Sequence, residues 1–232
     1  MVYKLYYRMR NLLNDKTEIV SVVGEDLEKL RTMKRMMTKQ IFGSVMIESA
    51  FIMDQNMLYI SDNDWSIVKL RYFNPVGAHD SAIIGELPLG VPNNLMPYIT
   101  QTGYGIRECL KVYGSDYPTP DGTPIRDYIH IMDLAKAHVI AVERMLNEKM
   151  KKPFEIFNLG TGTGYSVLEV IKSFEKVSGL KLNYEIVGRR AGDIEKVWAD
   201  PTFSNNELGW KAERTLDEMT ASAWKWEQAY RG

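Results

Sequence analysis

Three short stretches carry residue types that could bind an anion. A glycine-rich turn, residues 160–164 (GTGTG), follows a predicted strand and precedes a predicted helix. Asn94 and Leu95 open another predicted helix, where unpaired backbone N–H groups favour negative charge. Asn74 ends a strand directly before Pro75, and its amide could donate a hydrogen bond to a phosphate or a hydroxyl. Each stretch also has a purely structural interpretation, as a tight turn, a helix cap or a turn former.

The glycine-rich turn lacks the spacing of a dinucleotide-binding loop. That fingerprint requires G-x-G-x-x-G, and Tyr165 stands where the third glycine would fall. No acidic residue ends a convincing second strand about 20 residues later, where a ribose contact would be expected. We therefore predict that residues 160–164 form a tight turn into a helix and bind no cofactor.

The histidines and the cysteine do not form a metal-binding pattern. His79, His130 and His138 lack the spacing of a ligand set, and Cys109 has no ligand-spaced partner. Because Cys109 is the only cysteine, an internal disulfide is excluded and a reducing compartment is the simpler assumption. The sequence predicts no metal site.

Alternating strands and helices must position these residues from about residue 64 onward. Ser166 with Glu169, and Thr215 with Glu218, have the spacing of capping boxes that begin helices. Pro92 and Gly103 flank a further helix. The alternation predicts an α/β fold. Strands are predicted over 66–73, 110–113, 126–130, 154–159, 182–187 and 197–199, and helices over 93–101 and 133–149.

The first sixty or so residues are less organised. Residues 18–23 predict a short strand, apolar residues at helical spacing predict a helix over 26–41, and 46–58 is a second helical candidate. We therefore divide the chain into a poorly defined, mainly helical region, 1–63, and an α/β domain, 64–232.

Composition excludes several functional classes. Hydrophobic residues make up 45% and charged residues 25% of the chain, and the net charge is -1. No global positive field would attract nucleic acid or an acidic membrane, so an anionic ligand must meet locally placed arginines and lysines. No stretch approaches the about 18 apolar residues of a membrane span, and the N-terminus lacks a signal-peptide pattern. We expect a cytoplasmic protein that binds neither nucleic acid nor membranes.

Ordered motifs over about 165 residues resemble one family. Residues 70–79 (LRYFNPVGAH) and 91–98 (VPNNLMPY) are similar to segments of the UDP-glucose 4-epimerases, which are extended short-chain dehydrogenases/reductases. Further matching segments follow in family order: 112–119 (VYGSDYPT), 121–130 (DGTPIRDYIH), 158–160 (NLG), 189–193 (RRAGD) and 214–219 (RTLDEM). The resemblance implies the C-terminal substrate-binding part of an extended Rossmann-type, NAD-dependent epimerase. Most of the dinucleotide-binding sheet would be absent, with residues 1–63 as its remnant.

The resemblance also implies a binding site for UDP-glucose and UDP-galactose. Arg126 and Arg190 would hold the diphosphate, Tyr113 would lie against the uracil, and Asp193 would accept hydrogen bonds from the ribose. Arg126 could instead form an ordinary ion pair with Asp127, Tyr113 could be a core aromatic, and Asp193 could pair with an arginine. The expected substrate-binding residues are Asn74, Asn94, Leu95, Tyr113, Arg126, Arg190, Asp193 and Val197. A small residue at Val197, where some relatives place tyrosine, suggests room for N-acetylated sugars.

The family's chemistry requires groups that this sequence lacks. NAD accepts a hydride from C4 of the sugar while the tyrosine of a Tyr-x-x-x-Lys pair removes the hydroxyl proton. No tyrosine in this chain has lysine four residues later, and an ungapped count places Ser44 and Glu48 at those positions. The glycine turn near the start of such enzymes is also absent. Tyr72 and Pro75 match positions that contact NAD in the family, but we expect no NAD binding by this chain alone and name no catalytic residue.

Two functions therefore stay open. The first is an isomerase of galactose metabolism that interconverts UDP-glucose and UDP-galactose through a 4-keto intermediate, present here as a fragment inactive by itself. The second is a non-catalytic UDP-sugar-binding module, or the partner of a separate NAD-binding chain. A decayed scaffold or a dehydratase of another nucleotide sugar is less favoured. An apolar face left by the missing half predicts association through that face.

Overall fold

The computed structural model describes residues 66–232 with their side chains and, before them, the backbone of five strands within residues 3–59. The chain divides into two compact units. One comprises Met1–Val68 with Met150–Glu155, and the other comprises Lys69–Lys149 with Ile156–Gly232.

The five described strands of the first unit form an antiparallel sheet. Their order is β2-β1-β4-β3, with β5 also paired to β4. A register shift in the β1–β4 ladder falls between Arg8 and Met9. The strands are β1 (Tyr3–Asn11), β2 (Thr17–Gly24), β3 (Ile41–Phe42), β4 (Val45–Met53) and β5 (Leu58–Tyr59).

The strands correct part of the sequence-based prediction for this region. The strand predicted over 18–23 is confirmed as β2. The helix predicted over 46–58 is wrong, because Val45–Met53 forms β4, and the described elements before residue 60 are strands rather than helices. The segment contains β-branched and aromatic residues, and pairing with β1 on one side overrides its helix-like spacing. The helix predicted over 26–41 falls almost entirely outside the described residues.

Short parallel pairs organise the C-terminal part of the chain. β6 pairs with β11, and the backbone bonds from Ile67 to Pro153 and from Phe73 to Leu159 show that they run parallel. β7 is parallel to β10, β8 is parallel to β13, and β9 lies between β12 and β14. The strands are β6 (Ile67–Tyr72), β7 (Asn74–Val76), β8 (Leu110–Tyr113), β9 (Ile125–Arg126), β10 (Tyr128–His130), β11 (Phe154–Leu159), β12 (Tyr165–Ser166), β13 (Tyr184–Val187) and β14 (Lys196–Val197).

Five described helices accompany these strands, so the α/β prediction is confirmed. Both predicted capping boxes are present: Ser166 accepts from the backbone N–H of Glu169, and Thr215 accepts from that of Glu218. The sequence did not predict α4, a seven-residue helix. The helices are α1 (Leu95–Gly103), α2 (Ile131–Leu146), α3 (Val167–Ser178), α4 (Thr202–Leu208) and α5 (Leu216–Arg231).

One hydrophobic core supports the strand ends that carry the candidate site. It combines residues of α1, β8, β10, α3 and α5, and its largest side chains are almost inaccessible to solvent. Full burial of each such side chain contributes about 1.5–3 kcal/mol to the stability of this part of the chain. Core members include Ile99, Val112, Tyr128, Phe174 and Met219.

A buried carboxylate joins α2 to the segment before α5. Asp133 Oδ2 accepts hydrogen bonds from the backbone N–H groups of Glu213 and Arg214, both at 2.9 Å. Its Oδ1 accepts from Arg214 Nη1 at 2.8 Å. Burial by itself would raise the pKa of Asp133, but these hydrogen bonds and the adjacent guanidinium outweigh it and hold the pKa below its usual range.

Among the helices that the structure describes, none has the length and apolar character needed to cross a bilayer.

Candidate functional site

A cavity of about 480 Å³ brings together seven of the eight substrate-binding residues predicted from sequence. This volume lies within the range of about 300–1,000 Å³ that is usual for small-molecule sites. The seven residues are Asn74, Asn94, Leu95, Tyr113, Arg126, Arg190 and Asp193. Ten lining residues were not singled out from sequence: Val91, Pro92, Asn93, Tyr98, Leu110, Lys111, Val112, Pro124, Tyr128 and Val167.

Strand pairing places two of the predicted residues at the cavity. Asn74 begins β7 opposite Tyr128 of β10, and its backbone N–H donates to the Asp127 carbonyl at 3.0 Å. In β8 the side chains alternate, so that Leu110 and Val112 are buried while Tyr113 is 40% exposed. Tyr113 therefore contributes a ring to the cavity wall and is not a core aromatic.

Arg126, Arg190 and Asp193 form the charged centre of the cavity. Arg190 Nη2 donates to Asp193 Oδ1 at 2.8 Å, and Arg126 Nη2 lies 3.7 Å from the same oxygen. Arg126 Nη1 also donates to the carbonyls of Ile125, at 2.9 Å, and Ile194, at 2.7 Å. Two guanidinium groups thus share one carboxylate, which leaves the cluster with a net positive charge.

The three side chains of this centre differ in exposure. The side chain of Arg126 is 19% exposed and that of Asp193 is 12% exposed, whereas that of Arg190 is 61% exposed. The hydrogen bond to Asp193 raises the pKa of Arg190 above its usual value. Arg126 is therefore a fixed cation with two carbonyl partners, and Arg190 is a solvent-facing cation with one carboxylate partner. The alternative interpretation, an ion pair between Arg126 and Asp127, is wrong, because Arg126 pairs with Asp193 instead.

The loop that carries Arg190 is held in place by the preceding residue, Arg189. Arg189 Nε donates to Asp116 Oδ1 at 2.7 Å, and Nη2 donates to the Asp116 carbonyl at 2.6 Å. The Arg189 guanidinium also lies over the Tyr117 ring, 4.1 Å from its centroid. Arg190 instead lies 5.7 Å from the centroid of Tyr113. Arg189 thus anchors the loop, which leaves Arg190 at the cavity.

The N-terminus of α1 forms another part of the wall. Asn94 is the N-cap, but its side chain makes no capping hydrogen bond and donates from Nδ2 to Glu86 Oε1 at 2.8 Å. The N–H groups of the first helical turn, which begins at Leu95, therefore receive no acceptor from the cap side chain. A helix N-terminus of this kind, beside the arginine pair, is suited to an anionic ligand.

The glycine-rich turn is built around a buried carboxylate, Asp127. Asp127 Oδ1 accepts from the backbone N–H and hydroxyl of Thr161, at 3.0 and 2.7 Å, and Oδ2 accepts from Gly162 and Ala199 N–H, both at 3.1 Å. A Cβ at Gly160 would lie 2.4 Å from Asp127 Oδ2, so the close approach requires glycine. Residues 160–164 are thus a structural turn between β11 and β12. No local pattern in the sequence indicates this role of Asp127, which directly follows Arg126.

The remaining predicted residues are not among those that line the cavity. Val197 is half-buried in β14, opposite Arg126 in register. Tyr72 in β6 is 50% exposed and lies 6.2 Å from the His138 ring, centroid to centroid. Pro75 is half-buried in β7. Their proposed contacts with sugar and NAD stay predictions.

The described residues do not by themselves fit a dinucleotide. In the glycine-rich turn between β11 and β12, the N–H groups of Thr161 and Gly162 already bind Asp127. Tyr72 and Pro75 would offer ring contacts alone, so we derive no hydride-transfer step from these residues. Over the same part of the chain, no group of three or more His, Cys, Asp or Glu side chains could hold a metal ion.

Comparisons with known proteins agree with this architecture. The family model for GDP-mannose 4,6 dehydratase matches residues 54–223. The UDP-glucose 4-epimerase of Bacillus subtilis (strain 168) is 55% identical over 172 residues, which covers 74% of this chain and 50% of that protein. The human UDP-glucose 4-epimerase is 51% identical over 168 residues, which covers 72% of this chain and 47% of that protein. The chain therefore spans about half the length of the curated relatives it matches.

Solved structures show the same relationship. A UDP-glucose 4-epimerase from Bifidobacterium longum, in complex with NAD+ and UDP, superposes with a TM-score of 0.69 and 50% identity. The match covers 74% of this chain and 50% of that one. The enzyme from Stenotrophomonas maltophila, with bound NAD and formylated UDP-arabinopyranose, also gives a TM-score of 0.69 and 50% identity, over 72% of this chain and 49% of that one. The chain thus belongs to the extended short-chain dehydrogenase/reductase family of nucleotide-sugar epimerases and dehydratases, and it corresponds to the C-terminal part of a UDP-glucose 4-epimerase.

Proposed function

We propose that this chain is the UDP-sugar-binding part of a UDP-glucose 4-epimerase, which recognises UDP-glucose and UDP-galactose. The observation that carries the proposal is the convergence of Arg126 and Arg190 on Asp193 at the wall of the cavity. Two guanidinium groups provide rigid, forked donors that match the oxygens of a diphosphate. Asn74, Asn94 and Tyr113 line the same cavity.

The arrangement supports different roles for Arg126 and Arg190 in ligand binding. Arg126 is oriented before a ligand arrives, because its Nη1 is held by two carbonyl oxygens. Among the described residues, Arg190 donates a hydrogen bond to the Asp193 carboxylate alone, and its side chain is 61% exposed, so it can turn toward a diphosphate. Displacement of Asp193 from Arg190 would make this carboxylate available to accept hydrogen bonds from ribose hydroxyls.

We further propose that the chain does not epimerise sugars by itself. Its sequence has no Tyr-x-x-x-Lys pair, and the loss of a general base typically lowers a rate by about 10²–10⁴-fold. Without a bound hydride acceptor the reaction cannot proceed at all. In a cytoplasmic setting of galactose metabolism, NAD and the catalytic pair would come from the other half of an intact enzyme or from a separate chain.

Calorimetry with UDP tests the binding proposal. We expect the 232-residue chain to bind UDP, with Arg126→Ala and Arg190→Ala each weakening the affinity. Absence of UDP binding by the unaltered chain would reject the proposed function and favour a scaffold with a decayed pocket.

A second assay tests catalysis. With NAD and UDP-galactose supplied, we expect no UDP-glucose from this chain alone. Turnover without any partner would contradict the proposal that this chain is inactive by itself. Turnover that appears only after addition of the N-terminal half of a UDP-glucose 4-epimerase would favour a role as the partner of an NAD-binding chain. Binding without turnover in either case would favour the second candidate function, a non-catalytic module, which the missing tyrosine–lysine pair also supports.

Exposed apolar side chains support the proposed association with another protein surface. Ile83, Ile84, Leu89 and Val91 are between 65% and 98% exposed within one short segment. Exposed apolar side chains concentrated in one segment favour binding to another protein surface. Sedimentation at increasing concentration should show self-association of the isolated chain, and a monomer at high concentration would contradict this proposal.

A further inference from the structure

One hydrogen bond sets the orientation of the Asn94 side chain at the cavity wall. Asn94 lines the cavity, and its Nδ2 donates to Glu86 Oε1 at 2.8 Å. An ionised carboxylate accepts hydrogen bonds but donates none, so the nitrogen end of the Asn94 amide must face Glu86. Nδ2 carries two hydrogens, and this bond uses one of them. The second hydrogen can therefore be donated to an acceptor on a ligand.

The bond to Glu86 also keeps Asn94 from capping its own helix. Asn94 has the extended backbone of an N-cap residue, with φ −92° and ψ 150°, yet its side chain makes no capping hydrogen bond. A capping side chain accepts from the N–H of the second or third helical residue. The third residue of α1 is Pro97, which has no N–H, so Met96 is the donor that remains. While Asn94 is bound to Glu86, its side chain does not occupy this donor at the helix N-terminus.

The position of Glu86 is set by α5. The backbone carbonyl of Glu86 accepts a hydrogen bond from Trp226 Nε1 at 3.2 Å. The preceding residue, Gly85, lies so close to the same indole that a Cβ at Gly85 would overlap the Trp226 ring. The Trp226 ring also packs against Tyr230, with 5.1 Å between the ring centroids. The Glu86 side chain thus reaches α1 from a backbone position that α5 fixes.

The charge of Glu86 by itself would oppose an anionic ligand. The half-buried carboxylate lies one hydrogen bond away from a residue of the cavity wall, so it would repel a diphosphate bound there. Any favourable contribution of Glu86 to binding must therefore come through the side chain that it orients, Asn94.

We propose that Glu86 is a positioning residue, which holds the Asn94 amide so that its second Nδ2 hydrogen donates to the diphosphate of a UDP-sugar. The same contact leaves the first N–H groups of α1 to the ligand. Glu86 acts through Asn94 and contacts no ligand atom. This inference rests on the proposed UDP-sugar site, in which Asn94 contacts the ligand.

Calorimetry with UDP and uridine on the 232-residue chain tests the inference. In Glu86→Ala we expect the affinity for UDP to fall about 3- to 10-fold, the usual effect of one hydrogen bond. The affinity for uridine, which has no diphosphate, should change by less than about twofold. The sign of the change for UDP is decisive, because removal of a negative charge alone would strengthen UDP binding.

Three further variants separate positioning from charge and from folding. Glu86→Gln keeps an acceptor for Asn94 without the charge, so it should bind UDP at least as tightly as the unaltered chain. Glu86→Ala should cause no further loss in a chain that already carries Asn94→Ala, because effects of residues that act as a unit do not add. Glu213→Ala removes a carboxylate that pairs with Lys136 at 3.1 Å outside the cavity lining, and both affinities should stay unchanged.

Four results would overturn the inference and leave the proposed function intact. They are an unchanged or higher UDP affinity in Glu86→Ala, equal losses for UDP and uridine, a loss in Glu86→Gln as large as in Glu86→Ala, and additive losses in the double variant. A higher UDP affinity in Glu86→Ala would mean that the carboxylate repels the ligand or withholds Asn94 from it. Failure of the unaltered chain to bind UDP would instead reject the proposed function itself.

Discussion

Replacement of Arg190 by alanine is expected to weaken UDP binding strongly while leaving the fold intact. A charged hydrogen bond to a diphosphate contributes about 1.5–3 kcal/mol, which corresponds to an affinity loss of about 10- to 150-fold. The side chain of Arg190 is 61% exposed, and its hydrogen bond to Asp193 is screened by solvent, so the loss of folding stability should not exceed about 1 kcal/mol.

The corresponding change at Arg126 should affect both properties. Arg126 Nη1 donates to the carbonyls of Ile125 and Ile194, and the second of these bonds links β9 to the segment before β14. Its loss should reduce the free energy of unfolding by about 1–3 kcal/mol, in addition to the loss of UDP affinity. Both variants should therefore bind UDP more weakly, but Arg126→Ala should lose more folding stability than Arg190→Ala.

Calorimetry with UDP and uridine, together with urea unfolding, measures both effects. Uridine lacks the diphosphate, so its affinity should not change in Arg190→Ala, and rising ionic strength should narrow the difference in UDP affinity between this variant and the unaltered chain. Arg231→Ala, which breaks a pair with Glu227 in α5 outside the cavity lining, serves as the matched control. Unchanged UDP affinity in Arg190→Ala, with a stability loss as large as in Arg126→Ala, would refute the assignment of Arg190 to the ligand.

Three further predictions concern other parts of the molecule. Gly160→Ala should lower the free energy of unfolding by about 1–3 kcal/mol in urea, because the new Cβ would lie 2.4 Å from Asp127 Oδ2, whereas Gly188→Ala, with nothing within 4 Å, should be nearly neutral. Asp133 has a lowered pKa, so its contribution to stability should be present above about pH 4 and disappear as the pH falls through its folded-state pKa; Asp133→Asn should flatten that part of the pH–stability curve. Val197→Tyr should weaken UDP-N-acetylglucosamine binding more than UDP-glucose binding in calorimetry, and equal losses would argue against a role of Val197 in sugar selection.

Local sequence signals predicted the elements that depend on neighbouring residues. The strand over 154–159 and the capping boxes at Ser166 and Thr215 agree with the structure, because strand patterning and caps involve residues within a few positions of one another. Segment 46–58 did not follow its local signal. Its apolar residues have helix-like spacing, but pairing with β1 stabilises a strand instead. The local sequence does not show which strand is the pairing partner.

The candidate site likewise combines residues that the sequence identified with contacts that only the tertiary structure shows. The motifs by themselves identified the family, and with it seven residues that line the cavity. Tertiary structure decided the partners: Arg126 pairs with Asp193 rather than with the adjacent Asp127, whose carboxylate instead holds the glycine-rich turn. It also brought Glu86 to Asn94 at the cavity wall, which no spacing in the sequence indicated. The physical reason is that side-chain contacts depend on strand register and on loops that return from distant parts of the chain, whereas sequence patterns report only near neighbours.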